Sequence, residues 1–229
     1  MVVDVGVSVS NMERVDSFGD LAHRIGFTGI AVAGLMDQPF SFLTEGITVY
    51  KRVNLTGKGI NALRNQIDRV RKNTAIVAVQ VGSIDATNWA AEDRRVDLLT
   101  LDPLKDHKLR ETTACLASTS LTALELQIAP LLSSSGLHRS KILKAYREAV
   151  ITTLDAGMGL VLSSGATHPM GLRSPLAMKH IGMLLGIDGT QAERAVHDLP
   201  AKIIERSLKR LRPEFINPEV EIIRRGENP

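Results

Sequence analysis

The sequence predicts an α/β protein built around a parallel β-sheet, and three observations favour this class. Short runs rich in β-branched and other apolar residues recur along the chain, with helical patterns between them. Most of these runs are continuously apolar, which is typical of parallel strands buried on both faces. The chain has 229 residues, of which 44% are hydrophobic, so it can bury the core of one large domain. Alternating strands and helices leave two architectures open, a closed barrel and a wound sheet.

Seven segments have the composition of strands, and helical periodicity is found between them. The predicted strands are residues 2–9, 29–34, 47–55, 75–81, 97–101, 121–126 and 159–163. Residues 59–73 place Ile60, Leu63 and Ile67 on one stripe, which is the spacing of an amphipathic helix. Residues 139–156 follow a similar pattern, so we expect helices over both ranges.

Capping residues mark a helix directly after the last predicted strand and its loop. Ser174 and Pro175 suit an N-cap and a first helical position. Gly186 suits the end of the same helix, because glycine accepts the left-handed conformation that commonly follows a helix.

Two further helix starts follow in the sequence. Thr190 and Glu193 have capping-box spacing, which predicts a second helix beginning near residue 191. Asp198, with Pro200 two residues later, is expected to start a third helix. Three consecutive helices with no strand between them are therefore expected to complete the fold.

Composition indicates a soluble intracellular protein. The single cysteine, Cys115, cannot form an internal disulfide, and the N-terminal segment lacks the pattern of a secretory signal. No apolar run approaches the roughly 18 residues that suggest a membrane span, so we expect no membrane contact and a cytoplasmic location.

The charge of the chain makes RNA a candidate partner. The formal net charge is +3 and the calculated pI is about 9.1, a level typical of nucleic-acid-binding domains. The basic excess lies after residue 60, since residues 1–60 are slightly acidic. Aromatic residues make up 3% of the chain and offer few surfaces for base stacking, so phosphate and shape contacts should dominate.

Candidate catalytic positions lie at the carboxyl ends of the predicted strands, where barrel enzymes keep their active sites. The polar residues expected there are Asp37, Asp85, Asp102, Glu125, Ser163 and Ser164. Such carboxylates could build a metal-assisted hydrolase. A carboxylate just past a strand is also an ordinary N-cap or turn residue, and we favour that interpretation. The six histidines show neither HxH nor HExxH spacing.

The loop SSGATHPMGLRSP, residues 163–175, lacks the phosphate-loop, nucleophile-elbow and dinucleotide-binding patterns. Gly165 and Gly171 are interpreted as turn residues. Arg173 stands immediately before a predicted N-cap, where an arginine can hold a phosphate or support the preceding loop. Both interpretations of Arg173 remain open at the level of sequence.

Several segments, taken in order, carry a family resemblance. They are DVGVSVS at the start, LAHRIGFTGIAVAGL after it, RVDLLTLDP in the middle, and a strand running into SSGA, then RSP opening a helix that ends LLGI, then AERAV. Together they cover most of residues 1–207 and resemble ribonuclease P protein component 3, the archaeal homologue of the eukaryotic thirty-kilodalton subunit.

The resemblance implies a TIM-like (β/α) barrel related to the polymerase and histidinol phosphatase superfamily, whose hydrolases bind metals through a D-x-H-x-H strand. Here the corresponding residues 4–8 read DVGVS, in which Gly6 cannot ligate and Ser8 is a poor substitute for imidazole. The second motif, a strand ending in aspartate and histidine, reads AVAGL at residues 31–35. The resemblance therefore implies a lost metal site, no catalytic residue and no cofactor bound by this chain.

The implied function is that of a protein subunit of the ribonucleoprotein that removes the 5′ leader from precursor tRNA. In this family the RNA subunit performs the Mg²⁺-dependent cleavage, so the chain belongs to an endoribonuclease without itself being catalytic. The implied partners are ribonuclease P RNA, protein component 2 and other ribonuclease P proteins, with precursor tRNA as substrate of the assembled enzyme.

A subunit of this kind needs basic faces that neutralise phosphate. The residues expected to bind RNA are Lys58, Arg64, Arg69 and Lys72; Arg139 and Lys144; Arg173; and Lys202, Arg206, Lys209 and Arg210. The last four lie on a helix expected at 199–211, whose apolar residues should face the barrel and turn the four toward solvent as one stripe. Each cluster could also be a solvated helix face without a ligand.

We expect residues 1–212 to form a single barrel domain and residues 213–229 a tail, either irregular or with a short edge strand over 220–223. Two rival functions remain. One is a metal-dependent phosphoesterase of the same superfamily that uses Asp4, Asp37, Asp85 and Asp102. The other is a protein scaffold that does not contact RNA.

Overall fold

The computed structural model describes residues 1–10, 12–35, 38–57 and 59–212, together with the backbone of 215–217 and 220–221. Asp37 and Lys58, which the sequence singled out, lie outside the described residues, as does most of the tail.

Strands and helices alternate along most of the described chain. The strands are β1 (Val3–Ser8), β2 (Gly29–Ala33), β3 (Ser41–Thr44), β4 (Ile47–Leu55), β5 (Ile76–Gln80), β6 (Leu98–Thr100), β7 (Ala123–Gln127), β8 (Gly159–Ser163), β9 (Phe215–Asn217) and β10 (Val220–Glu221). The α-helices are α1 (Val15–Arg24), α2 (Ile60–Val70), α3 (Ile84–Glu92), α4 (Glu111–Ser120), α5 (Ala129–Ser133), α6 (Gly136–Asp155), α7 (Pro175–Leu185), α8 (Gly189–Glu193) and α9 (Leu199–Arg210). Short 3₁₀ turns lie at Met12–Arg14, Arg71–Asn73 and Pro169–Gly171, and a π-helical turn at Arg194–Asp198.

Seven of these strands form a parallel sheet in the order β1-β2-β4-β5-β6-β7-β8. The last strand, β8, lies beside the first, so the sheet curls into a TIM-like α/β barrel. All seven predicted strands are confirmed, and the barrel rather than the wound sheet is the correct alternative.

The seam between β1 and β8 is closed by a side chain and by local backbone contacts. The Asp4 Oδ1 atom accepts hydrogen bonds from the amides of Ser164 at 3.0 Å and Gly6 at 3.1 Å. Beyond it, the Ser8 amide donates to the Ala166 carbonyl at 2.9 Å. The register of β1 against β2 shifts between Asp4 and Val7, an irregularity of the kind that bends a strand.

Strand β3 was missed in the sequence. It pairs antiparallel with the first half of β4 across a tight turn, in which Glu45 and Gly46 both have positive φ angles of 44° and 75°. Residues of β3 are partly or fully exposed, so the segment lacks the continuous apolar pattern of the buried strands.

The interior of the barrel is apolar toward the amino ends of its strands. Val3, Tyr50 and Leu98 are among the buried side chains there, and Ile203 and Ile204 of α9 pack against them. Helix α9 therefore closes the amino-terminal end of the barrel. A second, larger cluster fills the space between the sheet and the surrounding helices.

The helix that follows the Ser/Gly-rich loop has the predicted ends. The Ser174 hydroxyl accepts a hydrogen bond from the Ala177 amide at 3.3 Å, and Pro175 occupies the first helical position of α7. Gly186 follows with φ of 107°, in the left-handed region.

The other two helix starts differ from the prediction. Asp188, not Thr190, is the N-cap of α8, and it forms a reciprocal capping box with Gln191. Asp188 has the extended backbone that an N-cap requires. Asp198 makes no cap, because the π-helical turn runs into α9 and Asp198 itself has helical φ and ψ angles.

The edge strand expected over 220–223 does not join the barrel sheet in the described part of the tail. Strand β10 instead pairs antiparallel with β9 as a separate two-stranded sheet. The proposed division into a domain of residues 1–212 and a tail of 213–229 stays a prediction.

Candidate functional site

A buried ion pair fills the centre of the barrel near the carboxyl ends of its strands. Arg52 on β4 and Glu125 on β7 face each other across the interior, with side chains 1% and 0% exposed. Two parallel contacts join them, Nη2 to Oε2 at 2.5 Å and Nη1 to Oε1 at 2.6 Å. This is the bidentate geometry that the planar guanidinium favours with a carboxylate.

Neighbouring groups satisfy the remaining polar atoms of this pair. The hydroxyls of Ser163 and Thr100 each donate to Glu125 at 2.6 Å. Arg52 donates further to the Val5 carbonyl at 2.5 Å and to the Asn54 side chain at 2.6 Å. Buried charges are tolerated when they are paired and hydrogen-bonded in this way.

The electrostatics of the ion pair favour the charged state of Glu125. Burial alone would raise its pKa, but the Arg52 charge and the hydrogen bonds from Arg52, Ser163 and Thr100 outweigh burial and hold the pKa below its ordinary value. The Asp4 carboxyl is affected differently: burial is the main influence and raises its pKa despite the amide and side-chain hydrogen bonds it receives.

The barrel centre, where the resemblance implies a lost metal site, does not fit a metal ion in the described part of the chain. A Cβ atom on Gly6 would lie 2.2 Å from Ser163 Oγ and 2.8 Å from Glu125 Oε1, so a histidine has no room there. The Arg52 guanidinium already supplies positive charge at the centre and would repel a cation. Among the described residues, no three His, Cys, Asp or Glu side chains are grouped to hold a metal ion.

Asp85 and Asp102, two other predicted carboxylates, have the positions of ordinary helix-start and turn residues. Asp85 is exposed in the first turn of α3. Asp102 accepts from the Leu104 amide at 3.0 Å and from the Gln80 side chain at 3.2 Å, so it serves as a turn residue at the carboxyl end of β6. These contacts match the structural interpretation of the carboxylates.

The Ser/Gly-rich loop is held mainly by contacts within itself and with the barrel. The Ser164 hydroxyl accepts from the Ala166 amide at 3.1 Å. Arg173 donates through Nη1 to the carbonyls of Met170 at 2.9 Å and Leu172 at 2.7 Å. Of the two interpretations of Arg173, support of the loop is visible in these contacts, while phosphate contact stays a prediction.

The basic residues near α2 and on α6 are mostly exposed. Arg69 and Lys72 are exposed, and Arg64 lies over the Trp89 ring with its guanidinium carbon 5.6 Å from the ring centroid. On α6, Arg139 donates to the Ser134 carbonyl at 2.7 Å, and Lys144 lies 3.8 Å from the carboxylate of Glu148.

The stripe expected on α9 is only partly directed to solvent. Lys202 and Lys209 are exposed as predicted. Arg206 and Arg210 instead turn toward Asp97, at 3.3 Å and 3.5 Å. The physical reason is that Asp97 is fully buried just before β6, and a buried carboxylate requires charged partners.

Arg52 and Asp97 organise the two buried charge clusters, although neither was predicted from the sequence to do so. A weak signal was present, since Asp97 stands in the otherwise largely apolar run VDLLTL, and Arg52 lies beside Lys51 within the strand segment YKRVNL. A charged residue in such a run indicates a buried partner, but the pattern does not say which residue that partner is.

Fold and site together define a TIM-like α/β barrel whose central polar position is occupied by a structural ion pair instead of a metal. The sequence profile of the family described as RNase P subunit p30 matches residues 1–212. The chain belongs to this family, which confirms the resemblance stated from its motifs.

Similarity to individual proteins agrees with this assignment. A protein named Ribonuclease P protein component 3 from Methanosarcina barkeri is 30% identical over 219 residues, covering 93% of this chain and 91% of that protein. A protein of the same name from Methanosarcina acetivorans is 28% identical over 210 residues, covering 89% and 87%.

Solved structures share the fold at lower identity. A chain in the cryo-EM structure of archaeal Ribonuclease P with mature tRNA has a TM-score of 0.81 and 19% identity, over 98% of this chain and 100% of that one. An amidohydrolase has a TM-score of 0.57 and 11% identity, over 91% and 75%. Within the described part of the chain, no helix is long and apolar enough to cross a membrane.

Proposed function

We propose that this protein, as a subunit of ribonuclease P, supports removal of the 5′ leader from precursor tRNA by binding and stabilising the RNA of the enzyme. The observation that carries the proposal is family membership over residues 1–212 combined with a barrel centre occupied by Arg52 and Glu125. In the described part of the chain, this ion pair fills the centre and no three metal-ligating side chains are grouped, which supports a role in binding and not in bond cleavage. The cleavage, with its Mg²⁺, is assigned to the RNA subunit.

RNA binding is proposed to occur through phosphate contacts on the basic faces. The candidate residues are Lys58, Arg64, Arg69, Lys72, Arg139, Lys144, Arg173, Lys202, Arg206, Lys209 and Arg210. Each lysine or arginine that neutralises a phosphate releases condensed counterions, which makes the affinity fall with salt. The exposed positions of Arg69, Lys72 and Lys202 support this role.

A protein partner is proposed as well, and within the family that partner is protein component 2. Fold similarity to a chain of an archaeal ribonuclease P supports RNA and protein partners in general. Large apolar side chains on α6 and α7 are exposed, and they are Leu137, Ile151, Leu176, Met183 and Leu184. Contiguous exposed apolar patches, unlike single scattered side chains, are typical of protein contacts, and Leu176, Met183 and Leu184 have the spacing of one helix face. We also place the assembled enzyme in the cytoplasm.

The proposed function is tested by binding and by turnover. Filter binding of the purified protein to ribonuclease P RNA, with an unrelated structured RNA of equal length as control, should show tighter, salt-dependent binding to the former. Addition of the protein to RNA and partner subunits should raise the rate of precursor tRNA processing. Equal binding to both RNAs and no effect on processing would contradict the proposal.

A further inference from the structure

Three arginines converge on one buried carboxylate at the amino-terminal end of the barrel. Asp97 is 0% exposed and stands directly before β6. Its Oδ2 atom accepts from Arg71 Nη1 at 2.5 Å, and its Oδ1 atom accepts from Arg206 Nη2 at 3.3 Å and Arg210 Nη1 at 3.5 Å. We call Asp97 and these three residues the arginine cluster.

Further hydrogen bonds fix the arginine cluster in place. The Ser207 hydroxyl, fully buried on α9, donates to Asp97 at 3.2 Å and accepts from Arg71 Nη2 at 3.0 Å. Arg206 also donates to the Leu121 carbonyl at 2.9 Å. The guanidinium groups are therefore oriented by the protein before any ligand is present.

Within the described part of the chain, the arginine cluster carries more positive than negative charge. Three guanidinium groups share the single carboxylate of Asp97. Arg94, exposed on the loop that precedes β6, adds to the positive field. Burial, together with the like charges of Arg206, Arg71 and Arg94, lowers the pKa of Arg210 to about 10, although the Asp97 carboxylate raises it in part.

The excess charge is accessible to a ligand. The side chains of Arg71, Arg206 and Arg210 are 11%, 22% and 18% exposed, so each keeps part of its surface in contact with solvent. Guanidinium groups held in a fixed orientation match the oxygens of a phosphate, to which arginine donates two parallel hydrogen bonds.

The centre of the opposite end of the barrel has a different charge balance. There Arg52 is balanced by Glu125, fully buried and surrounded by satisfied hydrogen bonds. Barrel enzymes bind their ligands at that carboxyl-terminal end. Of these two sites, the one with an excess of positive charge is the arginine cluster, at the end that α9 closes.

We propose that the arginine cluster, together with Arg94, binds phosphodiester groups of RNA at the closed end of the barrel, with Asp97 as the residue that positions the arginines. This inference rests on the proposed function, because the RNA is that of ribonuclease P. It extends that function by placing a principal RNA contact at the amino ends of the strands and by assigning roles to Arg71, Arg94 and Asp97.

The test is filter binding to ribonuclease P RNA across a salt series, with Arg210→Gln and Arg94→Gln beside wild type. Each variant should lower the slope of log affinity against log salt by roughly one unit, because about one phosphate contact is lost. The matched control is Arg24→Gln, which removes the same charge from α1, where Arg24 is 72% exposed beside Asp20. Its slope should equal that of wild type.

The outcomes separate this inference from the proposed function. Wild type that fails to bind the RNA overturns both. Wild type that binds while Arg210→Gln and Arg94→Gln keep the full slope overturns only the inference. If Arg210→Gln fails to fold, the slope measured for Arg94→Gln, in which the replaced side chain is exposed, tests the inference by itself. If the cluster binds free anions only, inorganic phosphate will raise the melting temperature of the wild-type protein, while both variants keep the wild-type slope of log RNA affinity against log salt. This outcome too would overturn the inference.

Discussion

Individual buried charges help to specify the fold of this protein, and Glu125 is the clearest case. Glu125→Gln should destabilise the protein by about 3–5 kcal/mol, because it leaves the Arg52 guanidinium buried without its counter-charge. Denaturant unfolding gives the value. The joint replacement Arg52→Met with Glu125→Leu should recover most of the loss, since it removes both charges at once. If the free energy of unfolding of Glu125→Gln lies within about 1 kcal/mol of that of wild type, this expectation is contradicted.

The pH dependence of stability follows from the same residue. The pKa of Glu125 is depressed in the folded protein, so its stabilisation is present above the ordinary value of 4.5 and is lost as pH falls through the folded pKa. Asp4 acts in the opposite direction, since its raised pKa stabilises the fold below 3.8 and loses that effect as pH rises. The joint variant keeps Asp4, so its stability should fall less than that of wild type between neutral and acid pH. If urea unfolding shows the same change of stability with pH for wild type and the joint variant, this would contradict the assignment of the pH dependence to Glu125.

Ser174 provides a smaller and independent prediction. Ser174→Ala should cost about 1 kcal/mol, because the hydroxyl caps the Ala177 amide at the start of α7. Thermal melts measure the loss, and Ser174→Thr, which keeps a capping hydroxyl, is the control.

For Arg173→Ala, we expect a larger effect on RNA binding or processing than on the melting temperature. If Arg173→Ala instead lowers the melting temperature more than Ser174→Ala and leaves processing intact, the role of Arg173 is restricted to support of the loop.

At the scale of elements, α9 combines two kinds of basic residue that look alike in sequence. Lys202 is exposed, so Lys202→Gln should change stability by no more than about 0.5 kcal/mol. Arg206→Gln should cost about 1–3 kcal/mol, because it removes hydrogen bonds to Asp97 and to the Leu121 carbonyl. Denaturant unfolding of the two variants side by side tests this difference. Equal effects would show that α9 carries one uniform solvated stripe.

At the scale of the whole molecule, the barrel shares its fold with an amidohydrolase, while an ion pair fills the described part of its centre. We expect the isolated protein to cleave neither precursor tRNA nor a generic phosphoester in Mg²⁺, Mn²⁺ or Zn²⁺, because Gly6 and the Arg52 to Glu125 pair leave no metal position. Product analysis over long incubations provides the measurement. Turnover that disappears in Asp4→Asn would support the phosphoesterase alternative instead.

Much of the fold was predictable because its signals are local. The seven parallel strands are short apolar runs, and α2, α6 and α7 follow from helical spacing or capping residues, all of which act within a few positions of sequence. Strand β3 and the N-cap at Asp188 were missed, because the first is exposed and the second competes with an equally plausible capping pattern two residues later. The motif order was also sufficient to indicate the family.

The sequence by itself determined the element order, the parallel class of the sheet and the family. Only the tertiary structure decided how the buried charges pair. Arg52 and Glu125 are 73 positions apart, and Asp97 meets Arg206 and Arg210 across 109 and 113 positions. Such pairs form only when the sheet curls into a barrel and α9 closes its end. Periodicity records which side of an element is buried, but the partner of a buried charge depends on long-range packing. For that reason Arg206 and Arg210, which were expected in solvent, instead contact Asp97.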